Sequence, residues 1–213
     1  MLVHEVVGIV DRSGSMHGKE IDTVGGINSA FDEIKKNKGE DEIINISVKL
    51  FDHEEVMLLR HININNFEEI KVSQFVPRGS TALRDAIGNS LVYFMERKLK
   101  NPNAFETCVI YIATDGFENS SKYYTSERLR NLIKNAKETY NIELLYLGSN
   151  QDAILEAGKL GIHHDNAINY CETAETIDNV YRGAGSAANR YRSSQNAAFT
   201  SVERQQSINP SSQ

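Results

Sequence analysis

The chain has 213 residues, enough to bury one substantial core without staples, and at roughly 100–200 residues per domain it implies a single domain with an appendage. Hydrophobic residues make up 40% and charged residues 24%, ordinary globular usage that excludes a wholly disordered chain or a coiled-coil rod. With 23 basic and 29 acidic side chains the net charge is −6, which argues against general nucleic-acid or anionic-membrane binding, because both need a large basic face. Two cysteines, Cys108 and Cys171, form neither a zinc pattern nor a disulfide framework. The first residues lack the basic start and apolar stretch of a signal peptide, and no apolar run approaches the ~20 residues of a membrane span. We therefore expect a soluble protein of a reducing compartment, the cytoplasm.

The apolar, β-branched run Val3 to Val10 predicts a buried strand that opens into a polar loop at Asp11. Ile21, Val24, Ile27, Phe31 and Ile34 recur at helical spacing between Lys19 and Lys36, with Gly25 and Gly26 weakening the helix but permitting close packing. Ile43 to Phe51 and Val56 to Ile62 form a hairpin, its tip at Asp52 to Glu55 expected to be solvated. Lys71 to Val76 reads as a short extended piece, closed by Pro77 and Gly79. An amphipathic helix spans Thr81 to Lys98. Thr107 to Thr114 is the most apolar strand. A helix from Glu127 to Tyr140, a strand from Ile142 to Leu147, a short helix from Asp152 to Lys159 and a last strand from Ala167 to Tyr170 follow, before a final helix starting near Thr173. This alternation predicts an α/β, Rossmann-like three-layer sandwich: a mostly parallel central sheet with one antiparallel edge strand and helices on both faces.

Three polar segments sit at strand ends or helix starts: Asp11-Arg12-Ser13-Gly14-Ser15, Gly79-Ser80-Thr81-Ala82-Leu83, and Thr114-Asp115-Gly116. Taken singly each has an ordinary use. Asp11 or Ser15 can cap a helix, Thr81 can open one, and Asp115-Gly116 can form a turn. In open α/β sheets, however, ligands bind beyond the carboxyl ends of strands where strand order reverses. If strands one and four meet there, two carboxylates and three hydroxyls converge. Such a donor set suits a hard cation: Mg²⁺ first, then Mn²⁺ or Ca²⁺. Few charged ligands would leave the ion electrophilic toward an outside anionic oxygen.

Asp11-x-Ser13-x-Ser15, then Thr81, then Asp115-Gly116, in that order and over roughly residues 1–190, resembles the von Willebrand factor type A (vWA) domain with its metal-ion-dependent adhesion site (MIDAS). Ile-Val-Asp-Arg-Ser-Gly-Ser-Met from Ile9 and Gly-Ser-Thr-Ala-Leu-Arg-Asp-Ala from Gly79 strengthen the resemblance, and none of the five ligand positions departs from the pattern. The resemblance implies a Rossmann-like fold with a metal at its top. Ser13, Ser15 and Thr81 would bind it through hydroxyls, and Asp11 and Asp115 largely through water. A partner's Asp or Glu would complete the octahedron. Thr81 and Asp115 exchange direct coordination in members that switch. We expect residues 1–191 to be the vWA domain and 192–213 a helical extension with a flexible tail.

The leading expectation is a non-enzymatic, metal-dependent protein–protein interaction module, intracellular and microbial or viral. A structural or assembly component of a virion or large complex is the alternative, and a metal-dependent hydrolase ranks behind both. A phosphotransferase of the haloacid dehalogenase type needs a second Asp where Ser13 stands, and a serine hydrolase needs G-x-S-x-G where Gly14-Ser15-Met16-His17-Gly18 stands. Arg12, Lys19, Arg78 and Arg84 cluster in sequence near the site and would make its face positive, favouring acidic partners. His17 could line the site's rim. Asp85, one turn after Thr81, could bond to the metal loop or lie at the surface. His163-His164 reads as loop. Ile177, Tyr181, Ala184, Ala188, Tyr191, Gln195, Ala198 and Val202 form a heptad-like stripe. Its second half, about Arg192 to Arg204, is expected to become ordered on a partner or a second copy, with Gln205 to Gln213 flexible.

Overall fold

The structure, a computed structural model, describes residues 1–149 and 152–209. Six strands, β1 (Leu2–Asp11), β2 (Glu42–Phe51), β3 (Glu55–Asn63), β4 (Thr107–Thr114), β5 (Ile142–Gly148) and β6 (Ala167–Asn169), form one sheet in the order β3-β2-β1-β4-β5-β6. All neighbours pair in parallel except β2 and β3, whose hairpin supplies the antiparallel edge. The helices are α1 (Glu20–Lys36), α2 (Leu83–Lys100), α3 (Ser126–Tyr140), α4 (Ala153–Leu160), α5 (Ala174–Ser194) and α6 (Ser201–Ile208). Apart from the Lys71–Val76 piece, the predicted strands and helices are present with small shifts at their ends.

Because side chains alternate along a strand, β1, buried from His4 onward, and β4, buried throughout, feed two cores from the sheet centre. Val6, Val10, Val109 and Tyr111 pack with α1 and α5 on one face. Val7, Ile9, Ile110 and Ile112 pack with α2, α3 and α4 on the other. Close approach of α1 to α5 depends on glycine. A Cβ on Gly26 would lie 2.5 Å from the Tyr181 ring, and one on Gly185 would lie 2.6 Å from the Ala30 carbonyl oxygen. Gly25 faces open space.

Three expectations are corrected. Within the Lys71–Val76 piece, Val72–Gln74 form a 3-10 turn rather than an extended strand, and the Gln74 side chain accepts from the Lys71 N–H. The hairpin tip is not simply solvated, since Asp52 is fully buried. The terminal stripe does not run on as one helix. The backbone turns left-handed at Gln195 (φ 54°), and Ala197 and Phe199 fold back into the core. Helix α6 then packs on α5 and β6. Arg190 grips Glu203 with two 2.9 Å contacts, the Arg204 guanidinium donates to the carbonyls of Ala167 and Asp165, and the Cys171 N–H donates to the Ser207 carbonyl. Residues 195–209 thus pack against α5, β6 and the core of the same chain. The expected flexible end at 210–213 lies outside the described residues.

Candidate metal centre at the switch point

Strands β1 and β4 run side by side, with Val10 opposite Ala113, so Asp11 and Thr114-Asp115 emerge at the same sheet edge. The chain leaves β1 for α1 on one face and β4 for α3 on the other. That divergence opens a crevice beyond the strand ends. Two loops meet there. The Arg78 N–H donates to the Arg12 carbonyl at 2.8 Å and the Gly14 N–H to the Gly79 carbonyl at 3.1 Å. Gly79 takes φ 69°, which a residue with a side chain rarely adopts, so a glycine serves the junction there. Thr81, just before α2, is delivered beside the first loop. Asn119 accepts from its N–H at 2.9 Å, and the Thr81 carbonyl accepts from the N–H groups of Asn119 and Ser120.

The five predicted residues come together. Asp11 is fully buried, and its Oδ1 accepts from the Ser13 N–H at 2.7 Å while its Oδ2 accepts from the Thr114 hydroxyl at 2.7 Å. The Ser13 and Ser15 hydroxyls lie 3.1 Å apart, and Ser15 donates to Asp115 Oδ1 at 2.6 Å. Gly116 marks the space between them. A Cβ there would sit 3.5 Å from Ser15 Oγ, 3.5 Å from Thr81 Oγ1 and 3.9 Å from Asp11 Oδ2. A side chain at 116 would fill a cradle walled by oxygens from all three loops. Ser15 is exposed while Asp11, Ser13, Thr81 and Asp115 are buried, so the cradle opens outward at Ser15. Burial pushes the Asp11 carboxyl up to about 6, against the lowering effect of its bonds to Thr114 and Ser13, with the Asp115 charge adding to the rise. Two crowded carboxylates, one raised by desolvation, suit a bound cation. The donor set is all oxygen, as a hard divalent ion requires.

Glu172 escaped sequence reasoning, and so did the particular roles of Thr114 and Lys19, which the sequence only placed near the site. Thr114 fixes the Asp11 carboxylate. Lys19 places its ammonium 2.5 Å from Asp115 Oδ2 and 2.5 Å from Glu172 Oε1. Glu172, which also accepts from the Ser149 hydroxyl at 2.7 Å, arrives from beyond β6. No local motif signals Lys19 or Glu172, which lie 153 positions apart.

The expected positive face is corrected. Each of the four cations has an acidic partner: Arg12 and Arg78 with Asp52 (2.9 and 3.0 Å), Lys19 with Asp115 and Glu172, and Arg84 with Glu118 at 3.7 Å. Burial of Lys19 lowers its pKa, but the hydrogen bonds it donates to Asp115 and Glu172 outweigh this and hold it above the ordinary lysine value. Asp85 reaches neither the metal loop nor the surface. Its carboxylate accepts from the N–H groups of Lys122, Tyr123 and Tyr124 and pins the loop after β4 to α2. His17 is exposed, 3.6 Å from Glu20. Among the described residues two other clusters hold metal-ligand types, Asp52-His53-Glu54 and the exposed His163-His164-Asp165. In the first, the Asp52 carboxylate is already neutralised by two guanidinium groups.

No protein-family model and no curated protein matches the chain. Solved structures do. A von Willebrand factor type A structure from Catenulispora acidiphila is similar at 16% identity and TM-score 0.63, over 88% of this chain and 43% of that one. The proximal thread matrix protein 1 of the mussel byssus, with a zinc-occupied MIDAS motif, is similar at 14% identity and TM-score 0.56, over 86% of this chain and 46% of that one. The pilus adhesin SpaC from Lactobacillus rhamnosus GG, in an open conformation, is similar at 13% identity and TM-score 0.64, over 89% of this chain and 30% of that one. This chain spans less than half the length of each. At such identities the likeness is one of architecture, and the chain has the Rossmann-like fold of von Willebrand factor type A domains.

Proposed function

We propose that this chain is a binding module that holds one divalent cation through Asp11, Ser13, Ser15, Thr81 and Asp115 and uses it to recognise an acidic side chain of a protein partner. The observation that carries the reading is the oxygen-walled cradle over Gly116, where three loops from separate parts of the sequence converge. Mg²⁺ suits the set best, with Mn²⁺ and Ca²⁺ also compatible. The bound ion would supply Lewis acidity toward a carboxylate oxygen. The chain's own residues do the positioning. Thr114 and the Ser13 N–H orient Asp11, Asn119 orients Thr81, and Ser15 orients Asp115 at the opening. The role is recognition rather than catalysis, and the setting is the cytoplasm, consistent with the free thiols of Cys108 and Cys171.

Thermal melting with Mg²⁺ and with EDTA tests the cation site. A metal well above its Kd raises stability by RT ln(1 + [L]/Kd), about 2.7 kcal/mol at 100 Kd. Asp11→Ala and Thr81→Ala should abolish that gain and, in pull-downs, partner capture. Capture that survives both substitutions and EDTA would place the interaction elsewhere.

A further inference from the structure

The Lys19 ammonium makes two 2.5 Å contacts, with Asp115 Oδ2 and with Glu172 Oε1. Lys19 is also the N-cap residue of α1. A cation at a helix N-terminus opposes the helix dipole, so this lysine does not serve the stability of α1 through its charge. Its contacts point the other way, into the site. Asp115 is shared: Ser15 donates to one of its oxygens and Lys19 to the other. The same Glu172 oxygen accepts from the Ser149 hydroxyl at 2.7 Å, an anchor independent of Asp115.

A divalent ion served by Asp115 would sit a few ångströms from this ammonium, where like charges repel strongly. We propose that Lys19 is a built-in competitor for the cation site and that Glu172 is the group that receives it when a divalent ion takes over Asp115. The proposal rests on the cation-site reading above and adds a device to it. The site is tuned weaker than its five oxygens allow, and cation entry moves Lys19 from a two-carboxylate bridge to a single pair with Glu172. Only side-chain torsions of Lys19 need change, because Glu172 is already in contact.

Titration calorimetry with Mn²⁺ alone, on the full chain, tests this across wild type, Lys19→Met, Glu172→Gln and the double variant, with circular dichroism to check folding. Lys19→Met should tighten binding about tenfold or more, the scale of ordinary site-to-site coupling. Glu172→Gln should weaken binding several-fold when Lys19 is present and change it less than about twofold when Lys19 is absent, the non-additivity expected of contacting residues. Lys122→Met, which removes an exposed charge from the loop after β4, should leave affinity unchanged. Equal affinity in wild type and Lys19→Met overturns the proposal. So does an equal loss on Glu172→Gln in both backgrounds, which would make Glu172 act on the ion directly. An equal gain from Lys122→Met would do the same, by reducing the effect to net charge. If no variant and not the wild type binds Mn²⁺, the cation-site reading itself falls and takes this proposal with it.

Discussion

At position 116 one hydrogen atom separates an open cradle from a filled one. Gly116→Ala would place a methyl 3.5 Å from both Ser15 Oγ and Thr81 Oγ1, ordinary van der Waals contact, so the fold should tolerate it. The expected outcome is a melting temperature close to wild type in EDTA, with the gain on adding Mg²⁺ lost. An undiminished gain would show that the ion sits elsewhere. Asp85 holds the loop after β4 against α2. Asp85→Ala leaves three N–H groups of the loop after β4 without their acceptor, and with one of them buried it should cost about 1–3 kcal/mol in denaturant titrations. His4, at the far end of β1, couples the fold to pH. Burial lowers its pKa below 6.5, Arg192 lowers it further, and Glu42 and Glu106 only partly offset this, while its Nδ1 lies 2.8 Å from the Thr107 hydroxyl. Below 6.5 the unfolded chain binds more protons at this site than the folded one, so its contribution to stability is lost as pH falls. The raised Asp11 acts in the opposite sense, so the comparison must be with a variant. Wild type should lose more stability than His4→Gln between about pH 7.5 and about pH 5, read as melting temperatures. Of these residues the sequence made Asp11, Ser13, Ser15, Thr81 and Asp115 legible, since oxygen donors at strand ends form a local pattern. It could not reveal the roles of Asp85 or Asp52, because carboxylates that cap backbone N–H groups or neutralise arginines look like surface acids until the loops are in place.

Between elements, the α1–α5 contact shows how two adjacent glycines can have opposite meanings. Gly25 and Gly26 look alike in sequence, and each weakens a helix. Gly25 faces open space, so Gly25→Ala should raise stability by about 0.5–1 kcal/mol. Gly26 lies under the Tyr181 ring, which is fully buried among its neighbours and has little room to yield. Gly26→Ala should cost about 1–3 kcal/mol through overpacking. Chemical denaturation of the two variants, side by side, gives the test; the same sign for both would contradict the packing described here. Strands and helices were readable because their apolar periods of two and 3.6 persist over many residues. The segment around Val72–Gln74 was not. Its conformation follows from tertiary anchors such as the two hydrogen bonds between the Asn28 side chain and the backbone of Ile70, which no local pattern encodes.

For the molecule as a whole, the outstanding question is what the last residues do. A stripe of seven-residue period suggested a helix waiting for a partner, yet the period breaks at Gln195, whose left-handed backbone turns the chain back on itself. Beyond that turn Ala197 and Phe199 enter the core shared by α1 and α5. Val202, expected on the stripe, is exposed instead. Chance periodicity and a short amphipathic return look alike in sequence, and tertiary contacts such as the burial of Phe199 and the Arg190–Glu203 pair separate them. The segment therefore acts first on stability. Truncation after Ser194 should lower the melting temperature even in dilute protein, and Phe199→Ala alone should cost about 3–5 kcal/mol, the usual penalty for emptying a buried aromatic site. Glu203→Gln, which weakens the grip of Arg190 while leaving the core filled, should cost less than Phe199→Ala. These losses should be independent of protein concentration, because the contacts lie within one chain. A truncated chain that melts with the full-length protein, or a melting temperature that climbs with concentration only when residues 195–209 are present, would instead return the terminal segment to the role of an assembly surface.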